Sequence, residues 1–169
     1  DLGVFVDCGF ACELKLPEKV KYIGQNAFYH CKSLYGGIKL PSSLQYLGPS
    51  AFENCINLTG SIEIPQSLTI IQTRAFAFCG FDGTLTLHDG LTSIGAEAFW
   101  DDPLKGELKL PKNLTVISSS CFLNCDFSGA LNLPSKVSTI GAHAFEGNWR
   151  LTGIVNLPEN VISIGESVL

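Results

Sequence analysis

The chain has 169 residues, 46% of them apolar and 16% charged, with a net charge of −5 and an isoelectric point near 5.1. Such a balance, with no Lys/Arg block, argues against nucleic-acid binding. No apolar run reaches membrane-spanning length, which argues against membrane insertion within this segment.

The chain opens at Asp1-Leu2-Gly3-Val4-Phe5, already inside a unit that recurs to the end. Phe5 is followed by Phe28, Phe52, Phe76, Phe99, Phe122 and Phe145, at gaps of 23 or 24 residues. A period of this length denotes a solenoid, in which each unit buries its apolar face only by stacking on the next. Taken in chain order, each unit begins with a period-2 stretch: Leu14/Leu16, Ile38/Leu40, Ile62/Ile64, Leu85/Leu87, Leu108/Leu110, Leu131/Leu133 and Val155/Leu157. The period predicts a short strand with those side chains inward, and the seven strands are expected to stack as one parallel sheet. Proline stops the strand at 17, 41, 65, 111, 134 and 158, with His88 in its place once. An apolar pair ending in Ile23, Leu47, Ile71, Ile94, Ile117, Ile140 and Ile164 is expected to form a second, shorter ladder. Gly then turns the chain at 24, 48, 95, 141 and 165. Gln72 and Ser118 share that column, so a positive φ is not required there. Ala-Phe fills the side opposite the main sheet, each buried ring contributing roughly 2–3 kcal/mol. At ~4.8 Å per strand, seven units give a stack roughly 30–35 Å long.

The recurrent string Leu-Pro-x-x-Leu-x-x-Ile-Gly-x-x-Ala-Phe-x-x-Cys is clearest over residues 16–31, 40–55 and 64–79. It resembles leucine-rich repeat proteins, specifically the BspA-like subclass. The resemblance implies an α/β-type solenoid: a right-handed superhelix with a parallel β-sheet on its concave face, about seven 23–24-residue repeats and little regular helix. It also implies a binding role, since the family occurs on surfaces of bacteria and of parasitic or commensal protists and is linked to adhesion. The expected organisation is one array over residues 1–169, incomplete at both ends, because neither end carries a polar capping unit.

Cys8, Cys31, Cys55, Cys79 and Cys125 share one column, with Asp102 and Asn148 in the remaining units. Parallel side chains ~4.8 Å apart do not suit disulfides, so buried free thiols are expected, with Cys12 the one candidate for an odd bridge. The column cannot converge tetrahedrally, so no metal site is expected. Asp102 is expected to reach solvent or cap backbone N–H groups through a loosened bend, with a local cation or ligand site as the alternative. His30, His88 and His143 fall in different columns, no nucleophile is placed beside a base, and no phosphate-binding glycine loop is present. An enzyme is therefore not expected, nor any cofactor.

The outward residues of the first strand, Lys15, Lys39, Glu63, Thr86, Lys109 and Asn132, vary while their neighbours stay constant, and form the candidate partner-binding row on the concave face. Tyr22, Tyr46 and Ile70, each one residue before the inner Ile or Leu, form a second candidate stripe. Trp100 and Trp149 sit near bends, where covering a rung edge is the expected role and anchoring a partner contact the alternative. Asn57 and Asn113 lie in Asn-Leu-Thr triplets that could carry glycan. The expected function is non-catalytic recognition: cell-surface adhesion through a protein or glycan ligand, extracellular or on the cell surface. The alternative is a cytoplasmic structural scaffold segment of a large assembly.

Overall fold

A computed structural model describes residues 4–169; Asp1, Leu2 and Gly3, where the first unit opens, lie outside the described residues. The chain is a parallel β-solenoid, and no helix occurs among the described residues. Its seven coils superpose like side chains on like. The Phe column is the clearest case: successive rings lie 4.9 to 5.8 Å apart, with planes within 11° of parallel. From Phe52 to Phe145 these rings are fully buried, whereas Phe5 caps the row and is 44% exposed. Phe81 and Phe127 meet the row edge-on, at 6.1 Å from Phe76 and 5.9 Å from Phe122.

The expected shorter ladder turns out to recur in every coil. Tyr22–Ile23 pairs with Tyr46–Leu47, Ile70–Ile71 with Ser93–Ile94, and Thr139–Ile140 lies between Val116–Ile117 and Ser163–Ile164. All pairings are parallel, and equivalent residues face each other. The ladder breaks twice, between Tyr46–Leu47 and Ile70–Ile71 and between Ser93–Ile94 and Val116–Ile117. Those are the two junctions where Gln72 and Ser118 replace glycine. A Cβ at Gly48, Gly95, Gly141 or Gly165 would sit 2.3 to 2.5 Å from a backbone nitrogen of the preceding coil. Glycine is thus required by close approach and not by φ. At each of these four positions the amide donates to the preceding coil, as Gly95 does to Ile71 at 2.8 Å. At Ser118 the hydroxyl takes over, donating to the Ile94 carbonyl at 2.6 Å.

The Leu-x-Leu stretches do not stack as one continuous sheet, contrary to the expectation. Only Ile62–Glu63 and Leu85–Thr86 pair in register. Elsewhere pairing moves upstream, to Lys105–Gly106, Asp126–Ala130 and Arg150–Thr152, and to the bridges Glu13 with Tyr35 and Gly36 with Leu58. There each residue faces one placed two earlier in the next repeat. The inserted Leu-x-Gly segment is the cause. Gly36, Gly60, Gly106, Gly129 and Gly153 adopt φ between +80° and +88°, which swings the chain before Leu-x-Leu begins. Gly83 does not, and its coil runs straight into the in-register pair.

The Ala-Phe side carries a third ladder made of turns. Two residues per coil flank it in the left-handed region, such as Asn26 and His30, or Arg74 and Phe78. This alternation points every second amide at the next coil: Asn26 donates to Pro49, Phe28 to Ala51 and His30 to Glu53, each at 2.8 to 3.0 Å. No β-branched residue occupies either left-handed column, as the steric cost there requires.

The turn after Pro41, Pro65, Pro111 and Pro158 is tied down by the residue two places on. Ser43 and Ser67 donate to carbonyls of the preceding coil, Ser67 to Leu44 at 2.6 Å, and Asn113 does the same to Asp89. In the fourth coil Gly90 stands in that column and has no side chain to offer. His88, in the proline position, substitutes: its Nε2–H donates to the Leu68 carbonyl at 3.1 Å, and its Nδ1 accepts from the Gly90 amide. The pair is therefore coupled. His88→Pro alone leaves the Leu68 carbonyl unpaired, at about 1 kcal/mol. Gly90→Ser alone places Cβ 2.9 Å from the imidazole Nδ1. The double variant recreates the Ser67 arrangement and is expected to be more stable, in urea unfolding, than the sum of the single changes by about 1 kcal/mol.

Candidate recognition faces

The face next to the proline turns is built by alternation. Leu or Ile side chains turn inward, and Lys15, Lys39, Glu63, Thr86, Lys109 and Asn132 all project outward and are exposed. Equivalent residues in successive coils place the six in one row. Because most Leu-x-Leu stretches are not laddered, shallow clefts open between coils. One of ≈ 470 Å³ lies between the second and third coils, lined by Lys39, Ser42, Ser61, Glu63, Gln66 and Thr86. Another of ≈ 560 Å³ lies between the fourth and fifth, lined by Asp89, Glu107, Lys109, Lys112 and Asn132. Among the described residues, no backbone hydrogen bond joins Ile38-Lys39-Leu40 to Ile62-Glu63-Ile64.

Charges on this face pair across coils and within them. Lys39 Nζ lies 2.8 Å from Glu18 Oε1 and Lys112 Nζ 3.0 Å from Asp89, both in the preceding coil, and Lys109 Nζ lies 3.4 Å from Glu107 in its own. The Lys39 ammonium and the Ser42 amide hold the Glu18 carboxyl below its usual value. The Lys112 amide and ammonium do the same for Asp89. These pairs are solvent-exposed and contribute little to stability. Sequence reasoning missed the row that includes Glu18, Ser42, Gln66, Asp89 and Lys112, which lines the clefts beside the Lys row. Its signal was a variable position directly after the proline column.

The second stripe is also on the surface. Tyr22, Tyr46 and Ile70 are 68%, 39% and 43% exposed, and Tyr22 faces Tyr46 directly across the ladder. Beyond Ile70 the column becomes Ser93, Val116, Thr139 and Ser163, so its bulky apolar end is confined to the first three coils. Asn57 and Asn113 are exposed, and each uses its amide nitrogen to donate to the preceding coil, at 2.7 and 2.8 Å. Trp100 is half-buried, 4.5 Å from the Phe78 ring and beneath the Arg74 guanidinium, which also pairs with Glu53 and Glu97. Trp149 is 89% exposed and covers no rung edge, contrary to the expectation.

All seven cysteines are free, Cys12 among them. The column thiols have a bonding role that the sequence reading had not found. Cys31, Cys55, Cys79 and Cys125 each donate S–H to the carbonyl of the preceding coil's Phe, at 2.7 to 3.2 Å. Asn148 Nδ2 does the same to Phe122 at 2.7 Å. Burial raises the Cys55 thiol to about 12 and lifts Cys79, Cys121 and Cys125 well above their usual value, which makes them poor nucleophiles. Asp102 does not reach solvent as expected. It is completely buried, and its carboxylate oxygens make no hydrogen bond of normal geometry, although the Cys79 and Phe81 amides are directed at it. The imidazoles stay apart: His30 lies 3.3 Å from Asp7, His88 holds its turn, and His143 Nδ1 lies 2.5 Å from Glu146. Among the described residues no three His, Cys, Asp or Glu side chains are grouped so as to hold a metal.

The model of the BspA type leucine rich repeat region matches residues 2–127 and 58–169, in 6 copies. A leucine rich cell surface protein from Faecalibacterium prausnitzii A2-165 shares the fold, with a TM-score of 0.56 and 18% identity over 92% of this chain. A leucine-rich repeat protein from Bacteroides ovatus ATCC 8483 aligns with a TM-score of 0.43 and 22% identity over 96% of this chain. The chain spans 59% and 47% of those two solved chains. No curated protein matches it.

Proposed function

Since this chain belongs to the BspA-type leucine-rich-repeat family, we propose that it is a non-catalytic recognition module that binds a protein ligand through the row Lys15, Lys39, Glu63, Thr86, Lys109 and Asn132. The supporting observation is the surface itself. One regular face presents an exposed, variable row, flanked by clefts with unladdered backbone between coils. Free N–H and C=O groups beside alternating charges suit an extended, polar, hydrogen-bonding ligand. A protein is favoured over a glycan because neither cleft is lined by a Phe, Tyr or Trp ring on which a sugar could stack, and the His88 imidazole beside the second is buried and held by its turn. The F. prausnitzii protein is described as a cell-surface protein, and we carry that location, with a role in adhesion, over to this chain as part of the proposal.

The test is binding of fluorescent chain to candidate host cells by flow cytometry. Lys15→Glu, Lys39→Glu and Lys109→Glu combined are expected to lower bound chain at least tenfold, since like charges brought together cost several kcal/mol. Tyr22→Ser with Tyr46→Ser is expected to change it by less than about twofold. The reverse pattern would move the ligand to the tyrosine stripe, and no binding by the wild-type chain would favour the scaffold reading, which the free, reduced thiols suit.

A further inference from the structure

The column that ends each Phe turn has one job in every other coil where a preceding coil is present. A side-chain donor, thiol or amide, bonds the carbonyl of the Phe one coil back: Cys31 to Phe5, Cys55 to Phe28, Cys79 to Phe52, Cys125 to Phe99, Asn148 to Phe122. In the fourth coil the slot belongs to Asp102, and its partner by register is the Phe76 carbonyl. An ionised carboxylate is acceptor-only and cannot serve. Both oxygens are buried without a hydrogen bond of normal geometry, so solvent does not compensate a charge there, and the Cys79 and Phe81 amides directed at it do so only in part.

We propose that Asp102 is carried in the fold as the neutral carboxylic acid, its O–H acting as the slot's donor to Phe76, and that loss of this proton opens the fourth coil, which makes the middle of the solenoid a pH-operated seam. The Cys79 and Phe81 amides favour an anion, but by less than burial and Asp101 disfavour it. The Cys79 thiol faces it from the coil before and the Cys125 thiol from the coil after, both held neutral by burial, and the adjacent Asp101 carboxylate repels a second negative charge. Burial first, and Asp101 second, drive the Asp102 carboxyl well above its usual range.

The sign follows from proton counting. The folded chain keeps a proton that the unfolded chain releases near pH 3.9, roughly the free aspartate value. The stabilisation is therefore complete below that pH and is lost as pH rises toward the folded value, by up to about tenfold in the unfolding constant per pH unit. Other carboxylates, among them Glu18 and Asp89, act in the opposite sense, so the comparison must be made against a variant.

Urea unfolding of the wild-type chain and Asp102→Asn at pH 4.5 and pH 8 isolates the term. The variant copies Asn148 and keeps a donor without a titrating proton. Its unfolding constant is expected to lie within about threefold of wild type at pH 4.5 and to be at least tenfold lower at pH 8. Hydrogen exchange at the amides of Asp101 and Leu104 should quicken between these pH values, beyond the intrinsic base-catalysed rise, in the wild type only. Should Asp102→Asn not fold, Asp102→Cys supplies the alternative donor, and the ¹³C shift of the Asp102 carboxyl in wild type reads the proton directly. Parallel pH profiles for wild type and variant, or a carboxyl shift that titrates with the exposed aspartates, would overturn the proposal.

Discussion

Replacing Phe99 with alanine is expected to cost about 3–5 kcal/mol and to divide the array in two. Phe99 is fully buried, with Phe76 at 5.4 Å on one side and Phe122 at 5.8 Å on the other. Removing the ring deletes two stacking contacts and leaves a void that the neighbouring coils, fixed by their backbone ladders, can only partly close. A solenoid couples each coil to its two neighbours alone, so the loss falls on one interface. Coils on either side keep their own Phe rows and can unfold separately. The unfolding curve is therefore expected to change from one transition to two, read by denaturant titration with coil-specific hydrogen exchange. Phe5→Ala is the control. Phe5 touches one ring and is already part-exposed, so its loss should cost less than half as much and leave one transition. Equal effects at Phe5 and Phe99 would mean that the row is not what joins the coils.

That row was visible in the sequence because packing between identical coils demands the same bulk at the same place, and a 23–24-residue period records the demand. The inward Leu and Ile positions and the outward Lys15-to-Asn132 row were legible for the same reason: a two-residue alternation has one meaning on a strand. What was hidden depended on backbone geometry. The left-handed pairs such as Arg74 and Phe78 show only as a lack of β-branched residues, a weak mark when the column also holds Asn, Ser and His. The two-residue stagger upstream of Leu-x-Leu arises from positive-φ glycines at 36, 60, 106, 129 and 153, and the letter alone does not distinguish these from Gly83 or Gly95. Asp102 was recognised as the odd member of its column. Its burial was not, because the column's bonding rule, a donor aimed at a Phe carbonyl, appears only with the carbonyls in place.

The glycine column offers a second test, with opposite changes at adjacent coils. Gly95→Ala puts a Cβ 2.4 Å from the Thr73 nitrogen and 2.7 Å from the Gln72 carbonyl carbon, both backbone, so neither can step aside as a side chain could. The coil must move away, forfeiting the Gly95-to-Ile71 bond, worth about 1 kcal/mol, and adding about 1–3 kcal/mol of overpacking. A loss of about 2–4 kcal/mol is expected by urea unfolding, with the ladder between Ile70–Ile71 and Ser93–Ile94 broken as it already is at the other two junctions. Gln72→Gly runs the other way. Without a Cβ the third coil can close on the second, and the residue 72 amide gains the Leu47 carbonyl as an acceptor. Stability should barely move, because a bond worth about 1 kcal/mol is offset by roughly 0.5–1 kcal/mol of added backbone entropy. Hydrogen exchange at residue 72 should nevertheless slow to the protected range of Gly48 and Gly95. If that amide stays fast, the break there has a cause other than the glutamine side chain, and Pro49, beside the junction, is the residue to change next.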